Sequence, residues 1–404
     1  MTQTHKTLPM WQVLICGALI VSLAMGIRHG FGLWMQPMTQ TMGWGREDFA
    51  MAIAVQNISW GLIGVFSGML ADRFGAFRVI IVGALAYALG LFGMAHAASP
   101  QWLIVTAGVM VGAAQAGTTF AVVFGVIGRN IPPERRSWAM GVVSAAGSFG
   151  QFLMVPTESM LISQWGWQQA LVVLAVGILI ILPLSLGLRE PGFAAGQAPV
   201  RSQSILQALR EAFGYRSFQL LMAGYFVCGF QVVFIGVHLP SFLKDQGMSP
   251  QLASTALALI GLFNIVGTYA AGSLGQVMAK NKILSGIYLA RGVIIAIFIS
   301  LPITPLSVYI FSAAMGLLWL STVPVTNAVI AQIFGVSHLS MLSGFVFLSH
   351  QVGSFLGVWL GGMIYDKTGS YDQVWFITIA LSAFATLINL PVREAAIARV
   401  PQAA

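Results

Sequence analysis

The chain has 404 residues, of which 57% are apolar and 7% charged, with a mean hydropathy of +0.85 and a net charge of +8. Soluble domains carry about 25% charge, so a water-facing surface cannot be built here, which excludes soluble enzymes and nucleic-acid binders. Two cysteines, Cys16 and Cys228, both inside apolar runs, exclude a disulfide framework and a zinc cluster.

Crossing a bilayer takes about 20 apolar residues. Runs of that size lie at 11–38, 48–71, 79–98, 101–127, 138–163, 167–188, 217–243, 251–275, 283–301, 304–331, 341–364 and 373–392, twelve predicted spans in all. They read as helices, because a membrane barrel shows shorter alternating segments. The first run contains Arg28 and is longer than a cleaved leader. With the N-terminus inside, fourteen Lys and Arg fall in inner segments and three, Arg46, Lys244 and Lys367, in outer ones; Arg28 and Arg291 lie within spans. That bias predicts both termini inside. The basic balance then reports orientation and contact with anionic lipid, not nucleic acid.

The longest polar stretch, 189–216, divides the chain into a six-helix bundle over 1–188 and a second over 217–404. Within it Ile205, Leu206, Leu209 and Phe213 share one helical face, which predicts a short helix on the inner membrane surface. The halves repeat at an offset near 204. Gly68-x-x-x-Asp72-Arg73-x-Gly75-x-x-Arg78 corresponds to Gly272-x-x-x-Gln276-x-x-x-Lys280, Gly141 and Gly150 to Gly344 and Gly353, and Pro37 to Pro240. A parallel six-span repeat is a mark of two-bundle transporters that rock about a central site.

Gly68–Arg78 resembles the loop signature of the major facilitator superfamily, G-x-x-x-D-R-x-G-x-[RK]-[RK], and the spans and central loop fit that family along the whole chain. The resemblance implies an all-α integral membrane fold of twelve helices in two pseudo-symmetric bundles. It also implies that Gly68, Asp72, Arg73, Gly75 and Arg78 form a cytoplasmic latch, with the Asp at the N-terminal end of span eleven, where free N–H groups favour a carboxylate. Gln276 in place of the Asp makes the second copy weaker.

By the same resemblance spans one, four, seven and ten line the path. Polar groups at mid-span depth are costly against lipid and should face protein or water. The candidate substrate contacts are Arg28 and His29 in span one, Gln115 and Thr119 in span four, Tyr225 and Gln231 in span seven, Asn264 in span eight, Trp319 and Asn327 in span ten, and His350 in span eleven. Arg28 has no evident carboxylate at its depth, since Glu158, the one acid within the spans, is placed near the outer end of span five. A buried guanidinium cannot shed its proton, and it matches a carboxylate with two parallel hydrogen bonds. An organic anion is therefore the favoured cargo; the competing role for Arg28 is a tie between helices. Arg291 is expected to bond a neighbouring helix, and His238 to serve an outer gate or packing.

Gly32–Met38, Phe263–Gly267 and Ser349–Gly357 resemble the bacterial monocarboxylate transporter and oxalate/formate exchanger branch. That branch carries an Asp-x-x-x-Arg in span eight where this chain has Asn264 and Thr268, and the exchangers carry a lysine in span eleven where the nearest basic group is His350. The expectation is a secondary transporter of a monocarboxylate in the bacterial inner membrane, monomeric and without cofactor, with proton-coupled uptake through His350 or His29. No phosphate-cradling glycine-rich loop, metalloprotease motif or nucleophile elbow occurs, so neither ATP use nor an enzyme is expected. The alternative is efflux of an amphipathic compound. The antiporter pattern in span five opens with Gly141 and Gly150, but Met154 breaks it and Pro156 comes late.

Overall fold

The structure, a computed structural model, describes residues 8–190, 204–335 and 338–397. Inside the predicted linker, residues 191–203 lie outside the described part, as do Lys6, Arg201 and Arg399 and the side chain of Asp72. Among the described residues the regular structure is helical: α1 (Met10–His29), α2 (Met35–Met42), α3 (Arg46–Phe74), α4 (Ala76–Ala95), α5 (Val111–Thr118), α6 (Phe120–Asn130), α7 (Pro133–Gly177), α8 (Ile205–Gly214), α9 (Arg216–Asp245), α10 (Pro250–Val277), α11 (Lys280–Ser300), α12 (Pro305–Leu318), α13 (Thr322–Phe334), α14 (Leu339–Thr368) and α15 (Asp372–Asn389).

Eleven helical segments of the described residues are long and apolar enough to cross a membrane, where the sequence predicts twelve. The difference lies in one segment, Trp138–Leu186, which takes in both predicted spans five and six. Gly166 interrupts it with φ 76° and ψ 164°, a backbone conformation open to glycine and costly for other residues. A helix forms at Ile205–Gly214: Ser204 Oγ accepts from Gln207 N at its start, and Ile205, Leu206 and Phe213 are exposed while Ala208 and Ala212 pack inward.

Three predicted spans are broken near their middles. The first ends at His29, passes through Gly30 and a 3-10 turn at Phe31–Leu33, and resumes at α2. The fourth breaks at Thr119, between α5 and α6. The tenth breaks at residues 319–321, between α12 and α13. Non-helical backbone at membrane depth is tolerated where it is buried in protein or lines water.

The repeat is visible in the packing. α1 lies along α7, and α9 along α14. A Cβ added to Gly150 would fall on the Ser22 main chain, and one added to Gly353 on the Phe226 main chain. Each glycine thus lets its helix touch the backbone of its neighbour, at equivalent places half a chain apart. Between the halves, α3 packs on α14 and α7 on α10. Here two glutamines cross over: Gln351 Nε2 donates to the Asn57 carbonyl at 3.0 Å and Gln151 Nε2 to the Leu257 carbonyl at 2.9 Å. Gly61 and Gly261 leave the room that these side chains occupy.

Candidate functional site

Arg28 closes the last turn of α1, half-buried. Its Nη2 donates to Asn57 Oδ1 of α3, and its guanidinium lies 4.6 Å from the Trp60 ring centroid. Nε is buried without a hydrogen-bond partner, and no carboxylate among the described residues is within ion-pair distance of this guanidinium. Asn57 and Trp60, one helical turn apart, form a platform on α3.

The platform continues into the other half of the chain. Trp60 meets Phe347 edge-on, with centroids 5.1 Å apart, and Phe347 stacks on His350. The Asn57 carbonyl receives Gln351, whose Oε1 lies 3.0 Å from His350 Nδ1. An amide oxygen only accepts, so His350 Nδ1 donates to it. The Tyr225 ring packs on the same imidazole at 5.1 Å. Arg28, Tyr225 and His350 are therefore brought together, with Asn57, Trp60 and Gln351 between them. His29 faces back along its own helix, with Nδ1 2.7 Å from the Met25 carbonyl.

Several predicted contacts lie elsewhere. Gln231 is buried within the C-terminal half, donating to the Thr378 carbonyl and Ser382 and accepting from Arg291 Nη1. Arg291 binds the Leu318 carbonyl through Nε and Nη2, at 3.2 and 2.6 Å, and the Trp319 carbonyl through Nη2. It is the expected structural bond: a cation on the orphan carbonyls of a helix C-terminus. On the other side of that break Asn264 Oδ1 accepts from Leu320 N, while its Nδ2 reaches Ser148 in the other half. Arg291 and Asn264 thus hold the break, within which Trp319 lies. Gln115 is fully buried near Gln56 and Tyr87, and Thr119 bonds the Gln115 carbonyl. Asn327 is half-buried and donates to the Val323 carbonyl of its own helix.

Glu158 packs against the first predicted span. Its carboxylate fills the space beside Gly30, two residues from Arg28, and is wholly buried. The 3-10 step after His29 carries Trp34 round so that its Nε1 donates to Glu158 Oε2 at 3.3 Å.

The end of the molecule bearing Arg46 is clasped. Arg46 donates to both Asp245 oxygens at 2.7 and 2.6 Å and to the Tyr371 hydroxyl at 2.9 Å, and it lies over the Tyr365 ring. Asp366 accepts from the main-chain N–H groups of Arg46 and Glu47, at 3.0 and 2.7 Å, so a carboxylate of α14 caps the N-terminus of α3. Burial pushes the Tyr371 hydroxyl above its ordinary range, against the pull of Arg46. It therefore stays protonated and donates to His238 Nδ1, while His238 Nε2 donates to the Val358 carbonyl. His238 thus belongs to the clasp. At the opposite end Arg78 donates to the Phe74 carbonyl of its own half, Arg73 lies near the Phe74 ring, and Gly75 ends α3. A Cβ on Gly68 would meet nothing. Sequence reasoning missed Arg46 and Asp366. The signal was present, since Gly362-x-x-x-Asp366-Lys367-x-Gly369 has the spacing of Gly68–Gly75.

Apolar helices in two internally repeated halves, joined over a half-buried cation and clasped at one end, define a membrane transporter. The family model described as the Major Facilitator Superfamily matches residues 14–323, and the chain belongs to that superfamily. It is 23% identical to the "Uncharacterized MFS-type transporter YcxA" of Bacillus subtilis (strain 168), covering 94% of each chain. It is 24% identical to monocarboxylate transporter 13 of Bos taurus, covering 94% of this chain and 89% of that one. The fold also matches the crystal structure of a bacterial homolog to the human lysosomal transporter Spinster, inward-facing and unoccupied, with a TM-score of 0.77 at 19% identity, covering 95% and 96% of the two chains.

Proposed function

We propose that this protein is a secondary carrier that takes up a small organic anion, a monocarboxylate, with protons by alternating access in the bacterial inner membrane. The observation that carries the cargo class is Arg28, a half-buried guanidinium held by one amide oxygen and one aromatic face, with no carboxylate among the described residues within ion-pair distance. Tyr225 and His350 supply polar and aromatic surface from the other half. Relatives that carry the name monocarboxylate transporter support the same class.

A helix of 49 residues is about 74 Å long, more than twice the hydrocarbon core of about 30 Å. The break at Gly166 within Trp138–Leu186 supports a reading of twelve spans in two six-helix bundles, with both termini on one side. The basic residues put that side inside. The Arg46 clasp then closes the outer face, and the Gly68–Arg78 loop, with Asp72, is the latch of the alternate state.

The test is a thermal-shift panel of lactate, pyruvate, formate and oxalate on purified protein and on Arg28→Ala. Ligands that bind the native state raise Tm. A monocarboxylate that stabilises wild type and not the variant supports the reading; an equal shift in both removes Arg28 from the site.

A further inference from the structure

Glu158 has no structural duty that would require an acid. Its repeat-equivalent in the other half is Gly361, which faces His238 as Glu158 faces Trp34. Oε2 accepts the Trp34 N–H, while Oε1 is buried with no hydrogen-bond partner. The titratable groups on the elements packed against α7 are few. From α1 come Arg28, His29 and the distant Cys16; from α4 come Tyr87, whose hydroxyl bonds the Ala24 carbonyl, and exposed Arg78 at the Gly75 end. From α6 comes Arg129, paired with Glu190 at the Gly75 end, and from α10 the exposed Tyr269. None of these forms an ion pair with Glu158. A carboxylate in a dry core is held either by a compensating charge or by a proton.

We propose that Glu158, set between Gly30 and Trp34 within two residues of Arg28, binds the proton that travels with the cargo. The proposal rests on the monoanion reading of Arg28. In the empty carrier Arg28 and ionised Glu158 sum to zero. When a monoanion docks on Arg28, one proton from water converts the Glu158 carboxylate to a carboxylic acid, and the sum is again zero. Arg291 does not enter, because main-chain carbonyls hold it in place. Either half-loaded state leaves a net charge in the low-dielectric core, so crossing is confined to the empty and fully loaded forms. Release reverses the step, the O–H bond breaking and the proton returning to water. An entry route lies alongside. A cleft of about 120 Å³ between the halves is lined by Gly32, Leu33, Ser159 and Ile162 facing Pro240 and Ser241, and Ser159 is the next residue to Glu158. Parting the Arg46 end widens that cleft towards the carboxyl group.

The experiment reads the carboxyl group directly and needs no cargo. The full chain is reconstituted in phosphatidylethanolamine/phosphatidylglycerol vesicles and titrated by infrared difference spectroscopy. The expected result is the C=O stretch of a protonated buried carboxylic acid that grows in as pH falls and is missing from Glu158→Gln. The band persisting in Glu158→Gln, or absent from wild type across the titration, overturns the proposal. Should Glu158→Gln fail to fold, Trp34→Phe removes the single donor and keeps a ring; the pH at which the band appears must move, and an unmoved band overturns the assignment. In the same vesicles an inward proton gradient should accelerate wild-type [14C]lactate uptake several-fold, and Glu158→Gln should abolish the acceleration; retained acceleration also overturns the proposal. A carboxyl band that obeys these expectations in vesicles moving no lactate, pyruvate, formate or oxalate would support proton binding at Glu158 and sink the cargo reading alone.

Discussion

A guanidinium has five N–H donors, and Arg28 uses one of them on Asn57. The other donors, beside the Trp60 ring, are of the kind that pair with a carboxylate through two parallel bonds. Hydrogen bonds to charged groups contribute about 1.5–3 kcal/mol, so Arg28→Ala should weaken monocarboxylate binding by about tenfold or more, read by calorimetric titration with lactate. Arg28→Lys should recover only part, because an ammonium lacks the planar fork. Arg291 answers to a different measurement. Arg291→Met strands the Leu318 and Trp319 carbonyls and the Gln231 oxygen, and should cost about 2–4 kcal/mol, seen as a lower Tm without any ligand. At this scale the sequence was partly legible. Arg28 stood out because the span that carries it has no acid. The partners of Gln231 and Trp319 were not legible: a polar or aromatic side chain at mid-span depth avoids lipid, but helical periodicity does not say which protein face receives it. The contact of Glu158 with Gly30 and Trp34 joins two spans and was not legible in either alone.

Helices here are placed by what their glycines admit. The Gly150 contact with Ser22 and the Gly353 contact with Phe226 bring α7 onto α1 and α14 onto α9 backbone to backbone. A methyl group at either site must push the pair apart. Gly353→Ala should therefore lower Tm by several degrees, whereas Gly344→Ala, with open space around its added Cβ, should leave Tm nearly unchanged. The half-chain repeat of these glycines was legible because the offset is constant. The breaks at Thr119 and at 319–321 were not, for neither contains a proline or glycine, Gly117, Gly316 and Pro324 lying two or three residues away; the second is held from outside by Arg291 and Asn264 on separate helices.

On the scale of the whole molecule, the two halves meet through the glutamine crossings in the middle and the Arg46–Asp245–Asp366 clasp at one end. Asp366→Asn weakens the cap on α3 and should open that end. A cysteine at Ser163, which lines the cleft, should then react with an impermeant maleimide several-fold faster than in the parent; unchanged labelling would remove Asp366 from the closing contacts. The clasp escaped the sequence reading because its partners lie about 200 and 320 residues apart.

The clasp differs from the crossings in its solvent. The Gln151 and Gln351 bonds are buried, but Asp245 is a quarter exposed. Mobile ions reach exposed charges and screen them over about 8 Å at physiological ionic strength, while leaving buried amides untouched. The balance between the two faces should therefore drift with the salinity of the bathing medium: strong brine loosens one lip of the protein while its axle holds firm.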